Sequence, residues 1–331
     1  MSLTLHPVAG KPHAKEKSIA ARPFAARAQQ AAMPVVGFLG SRSPDDSADL
    51  VAAFRAGLSE TGFVENRNVI IEFHWAEDQY GRLPMLAADL VAHQVAAIAA
   101  TGNPAVQAAK AATTKIPIIF LTGSDPVQLG LVNSLNRPDG NLTGVALLNN
   151  TLAPKQLQLL RELAPKATLV AFLTNPKNPI TKSDTRNIQT AAGTTGQQIL
   201  ILSASNDSDL DSAFAALVQQ KAEALLVQGD PLFNARPDKI VALAARYAIP
   251  AIYQWRNFPA AGGLMSYGTD LADGWRLVGV YTGKILQGAK PTDLPVQQSV
   301  KVRLVINLRT AKALGLNVPN TLIGRADEVI E

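Results

Sequence analysis

The chain has no cysteine, so disulfides, thiolate metal sites, cysteine nucleophiles and thiol redox motifs are excluded together. It has no uninterrupted apolar run of about 18 residues, the length that a membrane-spanning helix requires. Of its four histidines, His6 and His13 lie near the N-terminus, and His74 and His93 stand alone without a partner at ligand spacing, so no metal site is expected. The dinucleotide fingerprint, the phosphate-binding GxxxxGK[ST] loop, the GxSxG elbow and the HExxH helix are all missing. Neither a cofactor nor a catalytic centre is expected from these residues.

Charge is also scarce: 17% of the 331 residues are charged against 47% apolar, a composition that builds buried cores rather than disorder. The formal charge of +5 is uneven, because Lys11, Lys15, Lys17, Arg22 and Arg27 against Glu16 place +4 in the first 30 residues and leave +1 for the rest. A near-neutral body argues against a nucleic-acid partner. Within residues 1–33, Ala26 and Ala28 form the small-x-small pattern of an export cleavage site ahead of Gln29, but no apolar core precedes them. That segment is expected to be a disordered leader remnant.

From Pro34 onward, short β-branched runs alternate with polar turns and helix-period segments, the pattern of βαβ units and parallel sheets. Residues 35–39 read as a first strand, and Leu50, Val51, Phe54 and Leu58 as the buried stripe of the helix after it, which Gly62 ends. Strands follow at 69–73, 95–99, 116–121 and 142–147, with helices at 83–91, 105–112 and 127–135. The pattern restarts after Asn149, with strands at 169–173, 199–202, 224–227, 251–253 and 264–267. The length suits two such α/β lobes, and the last strand and helix, at 301–307 and 310–314, are too little for a third and must rejoin an existing sheet.

Ligands of open parallel sheets sit beyond the carboxyl ends of the strands, where loops run into helix N-termini. The loops there carry Ser41 and Ser43, Asn103, Ser124 and Asp125, Asn175, and Asp230, each loop ending in Ser, Asn or Asp before a proline. Helix capping accounts for any one of them. Their recurrence in both halves points to a cleft with many neutral donors and few charges, suited to a small zwitterion or another polar solute. Aromatics are only 5% of the chain, and Tyr253, Trp255 and Tyr267 fall near strand ends where a ring can line a pocket.

The chain resembles the ABC transporter substrate-binding proteins of the tryptophan/tyrosine-binding type. The likeness is carried by Phe54-Arg55-Ala56-Gly57-Leu58, by Pro138-Asp139-Gly140-Asn141-Leu142-Thr143-Gly144-Val145, by Gly263-Leu264-Met265-Ser266-Tyr267-Gly268, and by the run from Gly288-Ala289-Lys290-Pro291 to Asp293-Leu294-Pro295-Val296. It spans about residues 25–331 and implies the type I periplasmic-binding architecture, two Rossmann-like α/β lobes joined by three crossovers. On that pattern residues 34–147 and 264–299 form one lobe, and 148–263 and 300–331 the other. The resemblance implies a periplasmic monomer that binds a solute, with aromatic amino acids as precedent, delivers it to ABC permease subunits and catalyses nothing.

The candidate ligand-binding residues are then Ser41, Ser43, Asn103, Ser124, Asp125, Asn175, Asp230, Asn234, Tyr253, Tyr267 and Asp270. Ser41, Asn103 and Ser124 are expected to hold a carboxylate, Asp230 or Asp270 an ammonium, and Asn175 and Asn234 to complete the contacts of the second lobe. Two other readings use the same two-lobed form. A ligand-sensing regulator needs a DNA-reading module ahead of the first strand, and a sugar transferase needs a basic diphosphate cluster, for which Arg42 and Lys177 are too few.

Overall fold

Val36 and Phe38 point to one side of the first strand and Leu39 to the other, and all three are fully buried. A strand covered on both faces needs such a continuous apolar run and is found inside parallel sheets with helices on each side. The structure, a computed structural model, describes residues 1–4, 33–298 and 301–331, of which 33–331 form one compact unit. The cleavage-like stretch at 25–30 lies outside the described residues.

The chain first runs through β1 (Val35–Gly40), α1 (Ala48–Glu60), β2 (Ile70–Trp75), α2 (Leu83–Ala92), β3 (Ala97–Thr101), α3 (Asn103–Ala112), β4 (Ile118–Thr122) and β5 (Leu142–Ala146). It then forms α4 (Ala153–Leu163), β6 (Leu169–Thr174), α5 (Thr181–Thr195), β7 (Gln198–Ser203), α6 (Asp207–Gln219), β8 (Ala224–Val227), α7 (Pro231–Asn234), α8 (Pro237–Arg246), β9 (Ala251–Tyr253), α9 (Asn257–Ala260) and β10 (Met265–Thr269). Helix α10 (Leu271–Leu286) and β11 (Gln297–Gln298) come next, followed by β12 (Val302–Asn307), α11 (Leu308–Ala313), α12 (Asn320–Ile323) and β13 (Glu328–Ile330).

Two sheets result, with strand orders β11-β5-β4-β3-β1-β2 and β13-β12-β10-β9-β8-β6-β7. The chain passes between them after β5, after β10 and after β11, which gives the three crossovers of the expected architecture. The closing strand and helix rejoin the second sheet as expected, where β12 pairs antiparallel with β10 and parallel with β13.

Two expectations are corrected. The sequence pattern puts the strand at 264–267 in the first lobe, but β10 pairs parallel with β9, Met265 opposite Ile252, and so lies in the second sheet. The short link through α9 accounts for this: it is about the length of one parallel crossover within a sheet. The first lobe regains the chain only at α10, which lies against α1 so closely that a Cβ on Gly57 would stand 1.8 Å from the Arg276 carbonyl oxygen. The helix expected at 127–135 is a series of turns instead. Asp125 Oδ1 accepts from the Val127 amide and Gly130 adopts φ +64°, which ends helical propagation after one turn.

Candidate functional site

In each sheet the strand order reverses once beside the first strand of the lobe, between β1 and β3 in the first and between β6 and β8 in the second. Loops leaving the strands at such a point diverge to opposite faces and open a crevice at their carboxyl ends. The two crevices face each other. A cavity lies between them, with about 620 Å³ of empty space that includes its open mouth, bordered by Arg42, Gly102 and Asn103 from the first lobe and by Ile180, Asp184, Gly229 and Asn234 from the second.

The cavity has two kinds of wall. Leu121, Leu147, Ile180, Leu271, Trp255 and Trp275 supply an apolar side, and Arg42, Thr101, Asn103, Asp184, Asn234 and Gln254 a polar one. Trp255 is almost wholly buried, and its indole Nε1 has no hydrogen-bond partner among the described residues. A second space of about 1300 Å³ adjoins it and shares Arg42, Gln254, Trp255 and Leu271. Asp45, Asp46, Asp49, Asp270, Arg256 and Arg303 border that outer space, so it is a charged, water-compatible vestibule rather than a seat for an apolar group.

Among the described residues, Asp184 is the one carboxylate bordering the inner cavity. It stands in the first turn of α5, 8% exposed, and its Oδ2 accepts from Gln228 Nε2 at 2.8 Å. The orientation of that amide is fixed, because Gln228 Oε1 accepts from the Asn175 amide at 3.0 Å and from Thr181 Oγ1 at 3.2 Å. Asp184 Oδ1 has no partner among the described residues. Burial raises its carboxyl to about 6, against the lowering effect of the Gln228 hydrogen bond. A buried carboxylate with one free oxygen is poised to accept a cationic donor.

Asp230 is differently placed. It is fully buried, and its two oxygens accept from Tyr80 Oη, Asn175 Nδ2, Asn178 Nδ2 and the Leu232 amide at 2.8–3.1 Å. Burial raises this carboxyl as well, opposed by those four bonds. Its acceptor capacity is taken up in capping α7 and binding the first lobe, so it does not face the cavity as a free acid.

Of the other candidates, Asn103 and Asn234 border the inner cavity. Ser124 lies behind Asn103 and accepts from its Nδ2 at 3.3 Å, while Ser41 Oγ donates to the Thr101 carbonyl at 3.4 Å, so both brace the first-lobe wall. Asn175 braces Asp230 from the second lobe. Ser43 donates to Asp46 Oδ2 and Asp125 folds back on the Val127 amide, which leaves both outside the cavity. Asp270 caps α10 through the Ala272 and Asp273 amides and borders only the vestibule.

The two tyrosines are not brought to the cavity. Tyr253 is fully buried and stacked on Phe258 at 4.4 Å, and Tyr267 packs against the opposite core of its lobe. Strand parity decides this, since neighbouring residues face opposite sides of a sheet. Trp255, expected near a strand end where a ring can line a pocket, does border the cavity, whereas Asp184 and Trp275 are cavity residues that the loops do not point to. Asp184 lies beyond the loop inside a helical pattern, and Trp275 lies in α10, far along the chain.

The lobes also touch directly. Tyr80 reaches Asp230, and Arg236 Nη2 of the second lobe lies 3.1 Å from Asp78 Oδ2 of the first. Burial raises Asp78 to about 6 despite the attraction of Arg236. These contacts require the lobes to be together, so the arrangement is closed.

A model of a family described as ABC transporter substrate binding protein matches residues 43–330. The chain belongs to the ABC transporter substrate-binding protein family. Among curated relatives, a tyrosine-binding protein of Clostridioides difficile (strain R20291) is 28% identical over 263 residues, 80% of this chain and 75% of that one. Among solved structures, an ABC domain from Streptococcus pneumonia in complex with L-Trp is 25% identical with a TM-score of 0.82, over 90% of this chain and 99% of that one. The ligand-free, open structure of a substrate-binding protein from Clostridium difficile, also 25% identical and with the same coverage, gives a TM-score of 0.63. The two-lobed type I periplasmic-binding fold expected from the resemblance is therefore shown, and the family comprises binding proteins rather than enzymes.

One further reading of the residues is corrected. His74 and His93 do not stand alone: Glu72 Oε1 lies 2.7 Å from His74 Nε2 and 2.7 Å from His93 Nδ1.

Proposed function

We propose that this substrate-binding protein is the periplasmic receptor of an ABC importer, which closes around an aromatic amino acid and presents the closed form to permease subunits. The observation that carries the reading is the inner cavity itself, where one buried carboxylate with an unpartnered oxygen stands against an apolar wall that includes Trp255 and Trp275. An α-ammonium bound at Asp184 Oδ1 supplies the missing partner, and its charge offsets the cost of burying this carboxylate. The α-carboxylate lies toward Arg42 and the Gly102–Asn103 turn, and the ring lies among Leu121, Leu147, Trp255 and Trp275. Tryptophan and tyrosine ligation by the relatives supports the same class.

Closure follows from contact with both lobes. A ligand that touches Asn103 on one side and Asp184 on the other binds only the closed state fully and shifts the population toward it. The test is a thermal-shift panel of amino acids, aromatic acids, nucleosides and short peptides on protein unfolded and refolded to strip co-purified solute. L-Tryptophan and L-tyrosine raise the melting temperature by mass action. A shift by nucleosides or peptides but by no aromatic amino acid contradicts the ligand class.

A further inference from the structure

Strand β2 is the outer strand of its sheet, and Glu72 and His74, two residues apart on it, share one face. Helix α2 returns along that face and ends at His93, its C-cap residue. The topology thus joins three side chains spread over 21 positions of sequence into one cluster in which a ligand atom of each lies within 4.8 Å of the others. The imidazoles are 6.4 Å apart by centroid and inclined at 83°, so they converge on a common point instead of stacking. None of the three borders either space of the cleft.

Ion pairing alone explains a histidine beside a glutamate. It does not call for both imidazoles to meet the same carboxylate oxygen. His74 Nε2 and His93 Nδ1 are both turned onto Glu72 Oε1, and His74 Nδ1 has no competing partner among the described residues, so the donor atoms of all three side chains already face one another and an ion bound there displaces the protons that these nitrogens share with the carboxylate. Exposure is graded across the cluster, with side chains at 15% for His74, 29% for Glu72 and 57% for His93. Such a site is anchored at its base and open at its rim.

We propose that Glu72, His74 and His93 bind a divalent transition ion of the zinc class at the outer edge of the first lobe, with water completing the coordination on the exposed side. The donor set of two imidazoles and one carboxylate suits zinc, nickel or copper(II) and not calcium or magnesium, which take oxygen ligands throughout. The ion ties the edge strand to the end of α2. It stabilises the first lobe and does not contact the amino-acid cavity.

The test uses the full chain with His6→Ala and His13→Ala, which leaves His74 and His93 as its only imidazoles and, with no cysteine present, its only soft donors apart from methionine. Zinc chloride is titrated calorimetrically into this protein and into versions that also carry His93→Ala or Glu72→Gln, each checked for an unchanged metal-free melting curve. His93 is the most exposed of the three, so its replacement is the variant that leaves folding least disturbed. The parent takes up one zinc per chain, its melting temperature rises with zinc, and each variant binds at least about tenfold more weakly, the loss that even an outer-shell partner causes. No saturable uptake by the parent, or either variant binding as tightly as the parent, overturns the site.

Discussion

The Tyr80 hydroxyl of the first lobe donates to Asp230 Oδ1 of the second at 3.0 Å and accepts from the Leu232 amide at 3.2 Å. Burial raises the Tyr80 phenol well above its ordinary range, which keeps it a proton donor throughout the neutral region. Asp230 has no exposed surface, so a lost donor there leaves a buried carboxylate short of one bond. Such a loss is costly in proportion to how completely water is excluded.

Tyr80→Phe is therefore expected to favour the open form and to weaken amino-acid binding by about tenfold, the scale of one hydrogen bond to a charged group. Ligand-free melting is expected to change little, because the bond forms only on closure. Calorimetry with small-angle scattering checks both. An unchanged affinity removes the Tyr80 contact from the closing energy.

Arg236→Ala is expected to do less. Its side chain is 32% exposed and already shared between Asp78 and Asp207, and exposed pairs contribute about 1 kcal/mol or less. Its effect on affinity is expected to fade as salt rises, whereas that of Tyr80→Phe persists. A salt-independent loss in Arg236→Ala contradicts this ranking.

Proton linkage separates two of the three raised carboxyls, Asp184 and Asp78. Asp184, at about 6 in the folded protein against about 3.9 in an unfolded chain, binds more protons when folded, so it lowers stability as pH rises from about 4 to 6. An ammonium partner favours its ionised form, so ligand binding near pH 6 releases protons from Asp184. Asp78 behaves oppositely: closure buries it and raises it to about 6, so closing takes protons up. Calorimetry in buffers of different ionisation enthalpy is expected to show fewer protons released by Asp184→Asn than by the parent and more by Asp78→Asn. Equal values in all three proteins contradict the assignment.

Helix packing in the first lobe depends on glycine. A Cβ on Gly57 would fall 1.8 Å from the Arg276 carbonyl oxygen, and one on Gly279 would fall 2.1 Å from the Phe54 carbonyl oxygen. Both obstacles are backbone, so either helix must move as a body. Gly57→Ala is expected to cost about 1–3 kcal/mol, the usual range for overpacking, read from urea unfolding. A cost below the noise of that experiment means that α1 and α10 separate more easily than their contact implies.

Much of the fold was legible because strands buried on both faces leave apolar runs such as residues 35–39 and 169–173, and Gly62 marks a helix end that the structure keeps. The sheet to which residues 264–267 belong was not legible, since strand partners are chosen by connection length and by β12, which lies further along the chain. Loop reading names Asn103 and Asn234, which border the cavity, but it cannot separate a wall residue from a brace. Ser41 and Ser124 lie in the same kind of strand-to-helix loop as Asn103, yet neither borders the cavity. Asp184 hid within a helical pattern, and Glu72, His74 and His93 meet only after α2 has folded back over β2.

The three tryptophans offer a direct optical readout, because Trp255 and Trp275 border the inner cavity while Trp75 stacks on Phe73 beside the first-lobe core. L-Tyrosine is expected to alter the emission of the parent and of Trp75→Phe alike, and to lose that effect in the Trp255→Phe/Trp275→Phe double variant. A response confined to Trp75 would move the ligand out of the cleft.

A crystal structure grown with L-tryptophan or L-tyrosine tests the ligand assignment most directly. The account predicts the ring against Trp255 and Trp275 between the two lobes, with the ammonium within hydrogen-bonding distance of Asp184 Oδ1. A ligand seated in the outer vestibule with its ammonium on Asp270, or a cleft that stays empty at saturating amino acid, would contradict it.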